Sequence, residues 1–152
     1  MATSTLVLHC GGQEVTLEDL RAVPVPERTR TWAPVSHLRV LETALGSLKD
    51  CSYQVQRTRL ALAKDGARFF ATLDLTDPLV TGVTLAVGLR NSLDKTFPMG
   101  FCAGSRVFCC DNLCFRADLL IRRKHTPNGA ARFADDIARA VMNLQSFRDQ
   151  EA

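Results

Sequence analysis

Three polar segments carry the side chains with which this chain could do chemistry. Gly88-Leu89-Arg90-Asn91-Ser92-Leu93-Asp94-Lys95 gathers a guanidinium, an amide, a carboxylate and an ammonium in one short stretch. Gly104-Ser105-Arg106-Val107-Phe108-Cys109-Cys110-Asp111-Asn112 ends an apolar run on a carboxylate and an amide. Arg122-Arg123-Lys124-His125-Thr126 is the densest basic run. Each falls at the end of an expected strand, where a rigid scaffold presents its working groups.

Two chemistries suit them. Asp94 and Asp111 could together hold Mg2+ or Mn2+ and cleave a phosphodiester, with Asn91, Asn112 or His125 beside them. No third ligand stands at an informative spacing, so no metal site is assigned and a divalent ion enters only with that nuclease reading. Asn91, Asp94, Asp111, Asn112 and His125 are the candidate polar cluster. Asn91-Ser92-Leu93-Asp94 also reads as turn chemistry, because short polar side chains bond their own backbone. The cations offer phosphate binding instead, which needs position and charge rather than a motif. Arg57, Arg59, Arg90, Lys95, Arg122, Arg123 and Lys124 are the candidate nucleic-acid contacts. In a regular strand Arg57 and Arg59 share a face with Tyr53, and cations interleaved with a ring suit single strands.

Other chemistries fall away. His9, His37 and His125 are scattered, Ser92 lacks the glycines of a nucleophile elbow, and Gly100 and Gly104 lack a strand–turn–helix context. Of the six cysteines, only Cys110 and Cys114 have a zinc-like gap, and no second pair answers it. Buried reduced thiols are expected, as in a reducing compartment.

The elements that must position these groups are legible from periodicity. Residues 1–31 read as an N-terminal arm or loosely docked segment. It holds one turn capped by Thr16 and an extended connection through Pro24 and Pro26. A single α+β domain follows over 32–152. A short helix starts at Ser36, with His37, Leu38, Leu41 and Leu45 at helical spacing and Gly46 as its stop. Strands over Tyr53–Ala63 and Arg68–Leu75 flank Lys64-Asp65-Gly66, and Asp-Gly is a hairpin signal. A third strand turns Leu85, Val87 and Leu89 one way and Ala86, Gly88 and Arg90 the other. The small side chains of that second face leave room for a helix or a ligand. Further strands cover Arg106–Cys110 and Leu113–Ile121. Phe133, Ile137, Val141, Leu144 and Phe147 make the stripe of an amphipathic C-terminal helix. The expectation is a short N-terminal helix, a meandering, mostly antiparallel sheet of about five strands, and a C-terminal helix packed on one face.

The formal net charge of +3 over 152 residues is too small to imply nucleic acid unaided. Charged residues make up 23% of the chain and hydrophobic ones 46%, ordinary usage for a soluble globular protein. No segment has the length or apolarity of a membrane span, and residues 1–5 lack the pattern of a signal peptide. A cytoplasmic protein without a membrane partner is expected.

The three polar segments, taken with Pro34-Val35-Ser36-His37, resemble the phage/plasmid-related family catalogued as domain of unknown function 932. That family carries a "GLRNSHDKS"-like stretch, a "VFVCDN" element and an Arg-Lys-His-Thr element. The likeness spans roughly Trp32 to Phe147, with Leu93 standing where the family has His. It implies a bacterial or phage mobile-element setting and no established activity. The expected function is therefore a nucleic-acid-binding accessory protein that engages DNA or RNA phosphates without base specificity, with single-strand binding or annealing in view. The alternatives are the metal-dependent nuclease and an oligomeric interaction module whose sheet edges pair. No cofactor is called for outside the nuclease reading.

Overall fold

A computed structural model describes residues 4–8, 11–76, 84–104, 107–110, 115–116 and 119–151, with side chains to 143 except at 84, 108, 115 and 116. Asp111, Asn112, Cys10, Cys114, His9, Ser105 and Arg106 lie outside the described residues. The chain is α+β. Its elements run β1 (Ser4–Val7), β2 (Gln13–Glu14), α1 (Leu17–Ala22), α2 (His37–Asp50), β3 (Gln54–Ala63), β4 (Arg68–Thr76), β5 (Thr84–Ser92), β6 (Met99–Gly104), β7 (Val107–Cys110), β8 (Phe115–Arg116), β9 (Leu119–Arg123) and α3 (Gly129–Glu151).

The larger sheet has the order β2-β3-β4-β5-β6-β9 and is antiparallel throughout. Its central hairpin turns at Lys64-Asp65-Gly66, all three with positive φ, and Gly66 at +88° holds the value that a side chain resists most. Alternation then decides the two faces. Leu60, Phe69, Ala71, Leu73, Val87, Leu89, Met99, Phe101 and Ala103 pack with Val40, Leu41, Ala44 and Leu48 of α2 and Phe133, Ile137 and Val141 of α3. This is the main core, and α3 covers it as its stripe requires.

The opposite face is also covered. β1, β7 and β8 form a small mixed sheet, with β1 parallel to β7. Leu6, Val107 and Cys109 from this layer pack on Ala61, Phe70, Ala86 and Cys102, with Phe97 beside them. Asp74 helps to anchor it by accepting from the Ser4 backbone N–H at 3.1 Å. What approaches the small residues of β5 is therefore a strand layer: the Cys109 thiol donates to the Leu89 carbonyl at 3.7 Å.

Several expectations change. The segment read as a loose arm contributes β1, β2 and α1, and Leu6 and Leu20 are buried. Thr16 caps α1 as expected, in a capping box with Asp19. Ser36 caps α2, but the helix continues past Gly46 to Asp50 because Leu48 is completely buried. Asn91 and Ser92 lie in β5 rather than in a turn. β6 was not anticipated. Its alternation of Met99, Phe101 and Ala103 with Gly100, Cys102 and Gly104 is a strand pattern that the glycines conceal. The expected strand over Leu113–Ile121 is β8 and β9, which belong to different sheets.

Candidate functional site

The first and third polar segments meet at one end of the larger sheet, on its helix-covered side, through Asn91 and His125. Asn91 closes β5 there and is completely buried. Its Nδ2 donates to the Val35 carbonyl at 2.8 Å and approaches His37 Nδ1 at 3.0 Å. His37 opens α2, stacks on Phe69 at 5.3 Å, and places Nε2 2.7 Å from the Gly66 carbonyl. A carbonyl only accepts, so Nε2 carries the proton and Nδ1 accepts from Asn91. His125 completes the junction from the other side. Its Nδ1 accepts from the Val35 N–H at 2.8 Å, and its carbonyl accepts from the Ala33 N–H at 2.8 Å. One residue, Val35, is thus gripped at both its N–H and its C=O by side chains far away in the sequence.

Electrostatics keep both imidazoles neutral. Burial lowers the His37 pKa, partly offset by the Gly66 carbonyl and the nearby Asp94 carboxylate. Burial, aided by His37, lowers that of His125 to about 4. Asn91 Oδ1 and His125 Nε2 are both buried and have no hydrogen-bond partner among the described residues.

Outside the junction the chain presents a ring and cations. Thr29 N donates to the Trp32 carbonyl, and Trp32 N donates to Thr29 Oγ1, so exposed Arg30 lies within a tight turn and exposed Arg28 just before it. The Lys95 ammonium sits 4.7 Å above the centre of the Trp32 ring. Lys95 is held in a left-handed conformation, φ 63°, within the loop after β5. Ser92 closes that loop: its hydroxyl donates to the Phe97 carbonyl at 2.7 Å and accepts from Phe97 N at 3.1 Å. The bond from Ala33 to His125 brings exposed Lys124 alongside the Trp32 segment.

The seven expected cations separate. Arg57, Arg59, Arg90 and Arg122 do share the second face of the sheet, through the rows Asp74–Arg57, Thr72–Arg59, Phe70–Arg90 and Gly100–Arg122. However, the small sheet covers that face between them. Arg90 is 8% exposed and lies over the Phe97 ring at 5.1 Å. Burial and the like charge of Arg122 lower its pKa. β3 and β9 stand four strand spacings apart, about 19 Å, so Arg57 and Arg122 stay exposed as separate points. Arg59 is paired with Glu14, and Arg123 with Asp136 at 2.5 Å. Tyr53 does not share the face of Arg57 and Arg59. A bulge between Val55 and Arg57 switches the parity of β3, and Tyr53 joins the main core.

The carboxylate half of the expectation rests on Asp94, because Asp111 lies outside the described residues. Asp94 Oδ2 accepts from Arg68 Nε at 3.0 Å, while Oδ1 accepts from Thr96 N at 3.1 Å and from the Thr96 hydroxyl. Although its partial burial opposes this, those bonds hold the carboxyl below its usual pKa. Among the described residues no three His, Cys, Asp or Glu side chains are grouped to hold a metal. Cys51, Cys102, Cys109 and Cys110 are buried, and burial pushes the Cys102 thiol up to about 12. No helix among the described residues is long and apolar enough to cross a membrane.

The sequence reading missed Trp32 and the role of His37. The available signal was an imidazole on the apolar stripe of α2, a position that demands hydrogen-bond partners once buried. Comparison with family models, with curated proteins and with solved structures returned no match.

Proposed function

We propose that the protein binds single-stranded nucleic acid at the Trp32 corner. Trp32 is the stacking surface there, and Lys95 and Lys124, with Arg28 and Arg30, are the phosphate partners. The observation that carries this reading is the Lys95 ammonium over the Trp32 ring at 4.7 Å. An indole and a cation in contact are the two groups that a base and its phosphate need side by side. Lysine and arginine contacts of this kind read charge and not sequence. The reading keeps the phage/plasmid setting that the resemblance implies, as part of the same proposal.

The nuclease alternative is less well supported, since both oxygens of Asp94 already accept hydrogen bonds. Fluorescence anisotropy with labelled single-stranded DNA, duplex DNA and RNA at two salt concentrations tests the proposal. Binding should fall with salt and favour single strands. Trp32→Ala should weaken it by about 5- to 150-fold, the worth of one stacked base. Equal loss for duplex and single strand, or no binding at low salt, would overturn it.

A further inference from the structure

We infer that His125 is an acid-released latch for the Trp32 segment: taking up a proton frees residues 24–35 from the sheet while the rest of the fold persists. The argument begins with the acceptor at Nδ1. Val35 N–H points at this nitrogen from 2.8 Å, so a proton added there would face another donor. The resulting imidazolium would own two N–H groups and no acceptor, because Nε2 has none among the described residues. A buried cation without acceptors is costly enough that the contact must open when the proton arrives.

The segment is built to open locally. Residues 24–31 are all exposed, and Val35 is the one buried residue between Pro24 and Ser36. Its ties to the body include the two bonds to His125 and the one from Asn91. Neighbouring elements do not neutralise the cation. His37 at the start of α2 repels it, and Asp94 in the loop after β5 acts on His37. Lys95 and Lys124 add positive charge, while Asp136 is engaged by Arg123. Gly129 fixes the hinge on the other side. A Cβ there would lie far inside van der Waals distance of the Lys124 carbonyl, so α3 holds the backbone before His125 tightly. The movement therefore falls to the Trp32 side. As regulation of the proposed site, this predicts that acid removes the stacking surface even as it adds positive charge.

The chain has one tryptophan, so Trp32 reports the movement without any nucleic acid. Its fluorescence and the far-ultraviolet circular dichroism are followed on the full chain between pH 7 and 3.5. A red shift of emission as the pH falls from 6.5 towards 4, preceding loss of the dichroism signal and absent from His125→Gln, is expected. Emission that changes only with the dichroism, or identically in the variant, overturns the latch whatever the nucleic-acid result. If His125→Gln does not fold, NMR titration of the unmodified protein decides. The Val35 amide must shift with the His125 ring resonances, and an amide indifferent to them overturns the proposal.

Discussion

Replacing Asn91 by leucine tests the junction by keeping the branched outline of the side chain while removing its polar groups. The Asn91 amide supplies a donor to the Val35 carbonyl at 2.8 Å and another to His37 Nδ1 at 3.0 Å, all in a region closed to water. Leucine removes both donors and leaves two buried acceptors unmet, at about 1–3 kcal/mol each. Part of this is recovered because Asn91 Oδ1, which has no partner among the described residues, disappears too. The expected net loss is about 2–4 kcal/mol, a fall in Tm of roughly 5–15 °C for a chain of this size. Urea titration with paired Tm measurements gives the number. A loss below about 1 kcal/mol with an unchanged denaturant slope would refute the claim that these bonds are made in the native protein. Asn91→Asp sharpens the point, since aspartate keeps the shape but cannot donate. Its carboxylate beside His37 should raise the His37 pKa, and ring NMR would read that shift.

Other outcomes follow from the same geometry. Between pH 6.5 and about 4 the unfolded chain takes up a proton at His125 that the closed native state refuses. Stability therefore falls with pH across that window, and His37 acts in the same direction. The fall from His125 stays under about 3 kcal/mol, because local opening provides a cheaper route to protonation. Urea midpoints at pH 7, 5.5 and 4.5 measure it, and a flat profile would contradict the buried neutral imidazole. Asp94→Ala should cost about 1 kcal/mol through lost bonds to Thr96 and Arg68. A metal-dependent cleavage activity abolished by that change would instead favour the nuclease. Gly129→Ala should destabilise the protein, although alanine is the better helix former, because the Lys124 carbonyl occupies the Cβ position. A gain in Tm would show that this loop relaxes freely. Lys124→Glu combined with Arg30→Glu should flatten the salt dependence of single-strand binding, and an unchanged slope would exclude this corner.

The sequence by itself determined the α+β class, the Asp-Gly hairpin, the capped start of α2 and the buried stripe of α3. These depend on local periodicity and turn chemistry, which few residues suffice to state. It also placed Arg57 and Arg59 on one face, since strand parity is a local rule, and the cross-strand rows of the structure add Arg90 and Arg122 to that face. Only the tertiary structure decided which of those cations meets solvent, because a second sheet, made from strands more than a hundred positions apart, covers the middle of that face. Parity itself failed at Tyr53, where one bulge reversed it. The junction was legible only in part: Asn91 and His125 stand among the polar candidates, but His37 does not, and Val35 is an apolar residue whose backbone does the binding. Their meeting is set by how β5, α2 and the end of β9 converge, and non-local backbone hydrogen bonds leave no spacing in the sequence to read.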